Sequence, residues 1–476
     1  MARGPLPADF RIEVDPSVRS LDGGAVLCGG APLRLMRLTA GGRRLVARLA
    51  AGEPVPPTGG AQRLVRRLLD AGMAQPCPAR PAPFVTADVT VVVPSLDRAG
   101  GLERTLRSLG PVGRIIVVDD GSADPVATEA VTLEARADLI RHDRNLGAGV
   151  ARDTGWGMAT SPIVAFVDAD CEAADGWLDA LLAHFADPDV AAVAPRIVSR
   201  REPGWVAAYE SVRSPLDMGP RPGPARPRSW VPYVPTAALV VRRAALDDVA
   251  GFDARLRYGE DVDLVWRLNE AGWTVRYEPR VTVTHPARST ALAWLHQRFA
   301  YGTSAAPLAR RHHRAAAPLV VSVWSALVWM LAALGFRKSA IALAAGTTAL
   351  LTPKLRGLPA PGLEAARLAG LGHLHAARSV ADAARRPWWP IVALAALLSP
   401  RARRAAVVAA TVPPLVEWWQ RRPPLDPARW SVARLADDMA YGAGVWVGCA
   451  RERSAAALVP DLANWPGRRA AVEAPG

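Results

Sequence analysis

The spacing of apolar and polar positions divides the chain into three blocks. In the first, residues 1–80, Arg11–Val14 and residues 25–27 are short strand-like runs around the turn Asp22-Gly23-Gly24. Residues 45–49 and 64–69 carry helical spacing, and a Pro- and Gly-rich turn separates them. Short strands with a few short helices predict a small winged-helix-like module. Its readings are peptide binding, a packing appendage or DNA binding. Prolines crowd residues 75–83, a stiff linker that can continue neither helix nor central strand.

The second block, residues 84–304, alternates strand and helix. Residues 89–93, 115–118 and 163–167 are short apolar runs rich in β-branched side chains, suited to parallel strands buried on both faces. Helical patterns lie between them over 102–109, 126–136 and 150–158. Such alternation predicts an α/β domain with a parallel sheet covered by helices, whose ligands sit at the carboxyl ends of the strands.

In the third block, residues 305–476, the run 315–336 is 22 residues without a charge, bounded by Arg310, Arg311 and Arg314 before it and Arg337 and Lys338 after it. That length is enough to cross a bilayer. The uncharged run 339–353 has only 15 residues, and 387–400 and 405–416 are shorter still, so these read as interfacial, re-entrant or core helices. Trp388, Trp389, Trp418 and Trp419 flank them like an interfacial aromatic belt. The block predicts a hydrophobic, basic, membrane-associated helical region; the alternative is an Ala-rich soluble helical domain.

Charge sharpens this division. The chain has 476 residues and a formal net charge of +14, but residues 305–476 hold 22 basic and 9 acidic side chains, while residues 1–304 are nearly balanced at 36 against 35. A nucleic-acid footprint over the whole protein is therefore excluded, and the near-neutral first block lacks the basic stripe that duplex binding needs. The four cysteines lie far apart, without a Cys/His cluster, which argues against a disulfide framework or structural zinc and fits a reducing cytosol. Prolines and an aspartate break the N-terminus, so no signal peptide is expected.

Candidate chemistry falls at the strand ends. Pro94-Ser95 follows the first strand, Asp119-Asp120-Gly121-Ser122 the second and Asp168-Ala169-Asp170 the third. On one sheet these would converge on a single cleft. Asp119 and Asp120 suit a nucleotide's ring N–H and ribose hydroxyls. Asp168 and Asp170 alternate along an extended segment and so share a side, where they could hold a hard divalent cation bridging to phosphate. Between them a glycine-rich loop, Asn145 to Gly155, opens a helix and carries Arg152. Downstream, Asp261 follows Glu260 near the start of a helix whose apolar side is Leu264, Val265 and Leu268. A strand over 281–284 ends at His285, which reads as a metal ligand, a phosphate donor or a core histidine.

In order, the segments VVVPS, VVDDGS, NLGAGVARDTG, FVDADCE, GFD and GEDVDLVWRL resemble the inverting glycosyltransferases of family 2, with the GT-A fold, over about residues 89–285. The resemblance implies Asp119 and Asp120 as base and ribose contacts of a uridine diphosphate. It implies Asp168 and Asp170 as the aspartate-x-aspartate motif, with Asp170 on Mg²⁺ or Mn²⁺, and Asp261 as catalytic base. Pro94, Ser95, Arg152 and Glu260 join the expected substrate contacts, and His285 the expected metal ligands. With the N-terminal module, the segment 294–313 and the hydrophobic C-terminal block, the whole chain resembles the glycosyltransferases of mycofactocin biosynthesis. That family implies transfer of glucose from a UDP-sugar, in β-1,4 linkage, onto a peptide-derived redox cofactor precursor. The hydrophobic, basic C-terminal block implies a place at the cell membrane, with the catalytic domain facing the cytoplasm. Gln297-Arg298-Phe299 stands where processive synthases of family 2 have Gln-x-x-Arg-Trp, so a few successive additions are expected rather than continuous extrusion. Three alternatives stand beside this: a membrane-bound family 2 enzyme acting on a lipid or cell-wall glycan, a scaffold with a degenerate transferase domain, and a nucleic-acid binder using the basic C-terminal block.

Overall fold

The structure, a computed structural model, describes residues 4–77 and 81–463. Residues 78–80 of the proline-rich linker and the two ends of the chain lie outside the described residues. The chain forms two compact units, Met1–Pro203 with Arg213–Ala287, and Gly204–Val212 with Arg288–Gly476.

At the centre of the first unit is a nine-stranded mixed sheet. Val89–Ser95 lies in the middle, parallel to Arg114–Asp119 on one side and to Ile163–Val167 on the other. Asp138–Arg141 extends the parallel half beyond Arg114–Asp119. On the other flank Ala238–Arg242 runs antiparallel between Ile163–Val167 and Val190–Ser199, and Thr274–His285 follows parallel to Val190–Ser199. Helices Ala99–Ser108, Pro125–Glu134 and Ala148–Gly157 supply the crossovers. The predicted strands at 89–93, 115–118 and 163–167 all form. Val91, Val93, Val117, Ile163 and Val167 are fully buried in the main core, as continuous apolar runs of a covered sheet should be. Gly155 fits the same logic: a Cβ there would come within 2.3 Å of the Val92 side chain, so a helix carrying any larger residue could not lie this close to the sheet.

Within this unit the N-terminal segment pairs Arg11–Val14 with Ala74–Cys77 and, separately, Arg19–Leu21 with Val26–Gly29 and Arg34–Arg37. Helices Ala40–Ala50 and Gly59–Asp70 close a small core of their own around Val65, Leu68 and Met73. Three arginines tie this segment to the sheet domain. Arg66 pairs with Asp187 and with Asp189 at 3.1 Å, Arg221 reaches Asp15 at 2.6 Å, and Arg276 donates to buried Gln75 at 2.7 Å.

In the second unit, Ala291–Thr303 packs along Pro427–Arg451 so closely that a Cβ at Gly302 or Gly444 would lie about 2 Å from a facing carbonyl. Trp294 and Trp430 are fully buried around Tyr209, whose hydroxyl donates to Asp437 at 2.8 Å. Tyr209 therefore belongs to this core.

The expectation that residues 315–336 cross a bilayer is corrected. Among the described residues no helix is long and apolar enough to cross a membrane. The run breaks at Pro318, enters the short strand Val320–Ser322, and becomes helical only over Val323–Ala333 before Gly335 stops it at φ 92°. Those 11 residues make a helix of about 17 Å, against a hydrocarbon core of about 30 Å.

Candidate active site

The sheet delivers the first set of polar residues to one edge. Ser95 is paired in register with Asp119, and the strand carrying Ser95 is flanked on its other side by the one that leads into Asp168. The three strand ends are therefore neighbours. Ser95 is buried with a hydroxyl oxygen that has no hydrogen-bond partner, an orphan that a ligand at this edge would satisfy.

Asp119 and Asp120 are both buried and both engaged. Asp119 accepts from the Ser122 amide at 2.9 Å and pairs with Arg141 at 2.5 Å. Asp120 accepts from the amides of Leu146 and Gly147, at 2.9 and 2.8 Å, and from the His142 ring at 2.8 Å. Asp120 thus fixes the start of the glycine-rich loop, while Asp119 and Arg141 together hold the turn at Ser122. Gly147 sits at φ 104°, a conformation L side chains rarely adopt, and it opens the helix Ala148–Gly157.

Arg152, on that helix, is the centre of the site. It is buried and donates to Asp168 at 2.7 Å and to Glu260 at 2.9 Å. Burial alone would weaken its charge, but the two carboxylates outweigh that and hold it above the ordinary arginine value. One guanidinium thus joins the strand end bearing Asp168 to the first turn of helix Glu260–Glu270.

Asp261 follows Glu260 in that turn. Its carboxylate accepts from the amide of Val262 at 2.8 Å, and among the described residues no cation pairs with it. Burial, reinforced by the negative charge of Glu260, pushes its pKa up to about 7. Asp263 differs in kind. It is fully buried and binds Arg267 at 2.7 Å, and Arg267 in turn donates to the carbonyls of Val249 and Gly251. Asp263 anchors the helix, while Asp261 is left to ionise near neutral pH.

Asp170 lies in the turn after Ile163–Val167 rather than on an extended segment, and it meets His285, the last residue of strand Thr274–His285, with Oδ1 3.5 Å from Nε2. The other carboxylate oxygen of Asp170 pairs with Arg98 at 2.7 Å. Among the described residues no group of three His, Cys, Asp or Glu side chains is placed to hold a metal. A carboxylate and an imidazole at this spacing suit a divalent ion that takes the rest of its shell from a ligand's oxygens.

Sequence reasoning missed Arg98, Arg141 and His142. Arg141 ends, and His142 follows, a four-residue strand with charged ends, Asp138–Arg141, too polar to register as a buried run. Arg98 lies in the turn after Val89–Ser95, where nothing local marks it as a partner of Asp170.

The family model for glycosyl transferase family 2 matches residues 90–249. A Mycobacterium tuberculosis protein named pre-mycofactocin glycosyltransferase is 42% identical over 471 residues, covering 96% of this chain and 98% of that one. This chain belongs to the pre-mycofactocin glycosyltransferase family. It is a glycosyltransferase whose α/β domain is of family 2. A second M. tuberculosis relative, N-acetylglucosaminyl-diphospho-decaprenol L-rhamnosyltransferase, is 31% identical over 230 residues, 39% of this chain and 71% of that one. Among solved structures, Staphylococcus aureus TarS is 17% identical with a TM-score of 0.36, over 46% of this chain and 65% of that one. Unlike the rhamnosyltransferase, the first relative matches almost end to end, including the N-terminal segment and the second unit.

Proposed function

We propose that this pre-mycofactocin glycosyltransferase family member is an inverting enzyme that moves glucose from UDP-glucose onto premycofactocin, a peptide-derived redox cofactor precursor. In this reading it builds a short β-1,4-linked chain. The near end-to-end relation to the M. tuberculosis protein supports the acceptor. The observation that carries the chemistry is the Arg152 bridge, which ties Asp168 on the donor side to the helix start bearing Asp261. Deleting the protein from its host should remove from the small-molecule extract a ladder spaced by one hexose, read by mass spectrometry; an unchanged ladder would refute the assignment.

The reaction is a single displacement. Asp261 takes the proton from an acceptor hydroxyl. The oxygen attacks the anomeric carbon from the face opposite the diphosphate, the bond to the diphosphate oxygen breaks with its electron pair, and configuration inverts. Ser95, the turn held by Asp119 and the loop fixed by Asp120 bound the nucleotide end, with Pro94 beside them. Arg152 holds Glu260 and Asp168 in place while the charges shift. Asp170 and His285 would hold Mg²⁺ or Mn²⁺, which when bound supplies positive charge against the departing diphosphate. Excess chelator should then abolish turnover and added Mn²⁺ or Mg²⁺ restore it, and Asp170→Asn should weaken donor binding mainly when metal is present. Full turnover in chelator would remove the metal from the scheme.

We assign the winged-helix-like N-terminal segment to acceptor capture. What supports this is its grip on the segment that precedes the base helix. Arg221 pairs with Asp15 and Ser17 and lies over the Trp230 ring, and Trp266 of the base helix donates to the Pro232 carbonyl at 2.8 Å. Arg221→Ala should raise the acceptor KM by about fivefold, the loss of a partly exposed ion pair and a ring contact. Donor hydrolysis should stay unchanged; equal loss of both activities would make the segment a mere support for the fold.

A further inference from the structure

In the second unit two helical hairpins expose their tips to solvent. The first joins Val323–Ala333 to Arg337–Leu351, and the second joins Trp389–Leu398 to Pro400–Arg421. In each hairpin the two helices pack on one another. Large apolar side chains crown both tips: Leu334 and Phe336 on the first are 48% and 57% exposed, and Leu397 and Leu398 on the second are 80% and 78% exposed. Each apolar pair is followed at once by cations, Arg337 and Lys338 on the first tip and Arg401, Arg403 and Arg404 on the second, all exposed. The tips are adjacent, since a Cβ on Gly335 would sit 3.9 Å from Nε of Arg401. The first hairpin's other face is committed elsewhere: Ala326 and Trp329 pack into a core with Leu319, Val321 and Ala376. Among the described residues, nothing covers the apolar side chains at the tips.

We propose that these paired tips are a lipid-docking surface, which inserts its apolar residues among the headgroups of an anionic leaflet and holds the enzyme on one face of the membrane without crossing it. Charge decides between lipid and a second copy of the chain. Two copies meeting here would bring five cations from each side together, whereas an anionic surface complements them. The cytoplasmic leaflet is the anionic one, which matches a protein with four free cysteines. Exposed apolar residues followed by basic ones at the end of a short helix suit an interfacial element rather than a span. The inference rests on this geometry and stands or falls apart from the choice of sugar or acceptor.

Flotation of the purified full-length protein with vesicles tests it. The protein should float with phosphatidylcholine vesicles containing about one third phosphatidylglycerol, and weakly with phosphatidylcholine alone. Combined Leu397→Glu and Leu398→Glu should abolish flotation while the melting temperature and donor hydrolysis hold. If that variant melts early, Phe336→Ser at the other tip gives the same reading with less disturbance. Combined Arg401→Ser, Arg403→Ser and Arg404→Ser should lower partitioning to anionic vesicles by about fivefold per residue and leave the neutral ones unaffected. Wild-type protein that stays at the bottom of both gradients overturns the proposal. So does a Leu397→Glu, Leu398→Glu protein that floats normally but changes from dimer to monomer by light scattering, because the tips would then be a contact between copies.

Discussion

Asp261→Asn is expected to reduce sugar transfer by about 10²–10⁴-fold, the usual contribution of a general base, while donor affinity stays close to wild type. The substitution keeps the shape of the side chain and removes its proton acceptor. Two further readouts separate this from structural damage. The pKa pushed up to about 7 means that the basic form of Asp261 accumulates as pH rises through neutrality. Wild-type kcat/KM should therefore climb on an acid limb near pH 7, and the residual activity of the variant should lack that limb. The second readout is stability. A carboxyl whose folded pKa lies above its unfolded value of about 4 binds more protons when folded. Its contribution is fully present below pH 4 and is lost as pH rises towards 7. Removing the charge should thus raise the melting temperature at pH 8 by several degrees and leave it unchanged at pH 4. Loss of activity with gain of stability marks a strained functional group. Asp263→Asn should do the opposite, melting earlier because Arg267 loses a fully buried partner. If Asp263→Asn is the inactive variant and Asp261→Asn turns over normally, the base has been assigned to the wrong residue.

Arg152→Met carries the largest expected cost to the fold. It leaves Asp168 and Glu260 without the cation they share, in a buried site. Removing one side of a buried ion pair costs about 3–5 kcal/mol, which denaturant unfolding would detect directly. The chemistry should change as well. Arg152 is one of the groups that pull the Asp261 pKa down, so its loss drives that pKa higher. The acid limb of kcat/KM should move above 7, and raising the pH should recover part of the activity lost at neutrality. Arg152→Lys should fall between the two, because an ammonium is a point charge and cannot span two carboxylates as a guanidinium does. An unstable Arg152→Met protein with an unmoved pH profile would leave Arg152 a purely structural residue.

The parts of this protein that could be read from its sequence are those specified locally. Continuous apolar runs announced Val89–Ser95, Arg114–Asp119 and Ile163–Val167, and hence the polar residues at their ends. The start of helix Glu260–Glu270 was equally visible, as an acidic turn before Leu264, Val265 and Leu268. The Arg152 bridge was not visible, since its partners lie 16 and 108 residues away and no local pattern records such a contact. Nor could Asp120 be read as a loop anchor rather than a free carboxylate, because its donors are backbone amides of another segment. Hydropathy misled in the second unit: residues 315–336 lack charge, yet Pro318 and Gly335 cut the helix inside that run to half the length a span needs. Composition specified an apolar, basic surface there but not its arrangement as paired hairpin tips.

The most direct measurement is a single in vitro reaction: purified full-length protein, UDP-glucose, Mg²⁺ and premycofactocin, with products followed by mass spectrometry and the new linkage examined by NMR. The account predicts stepwise addition of hexose to the acceptor, with a β configuration at each new anomeric centre, and none of it from Asp261→Asn. Acceptor that remains unmodified while the donor is hydrolysed would contradict the proposed acceptor, and an α linkage would contradict the single inverting displacement on which the roles of Asp261 and Arg152 depend.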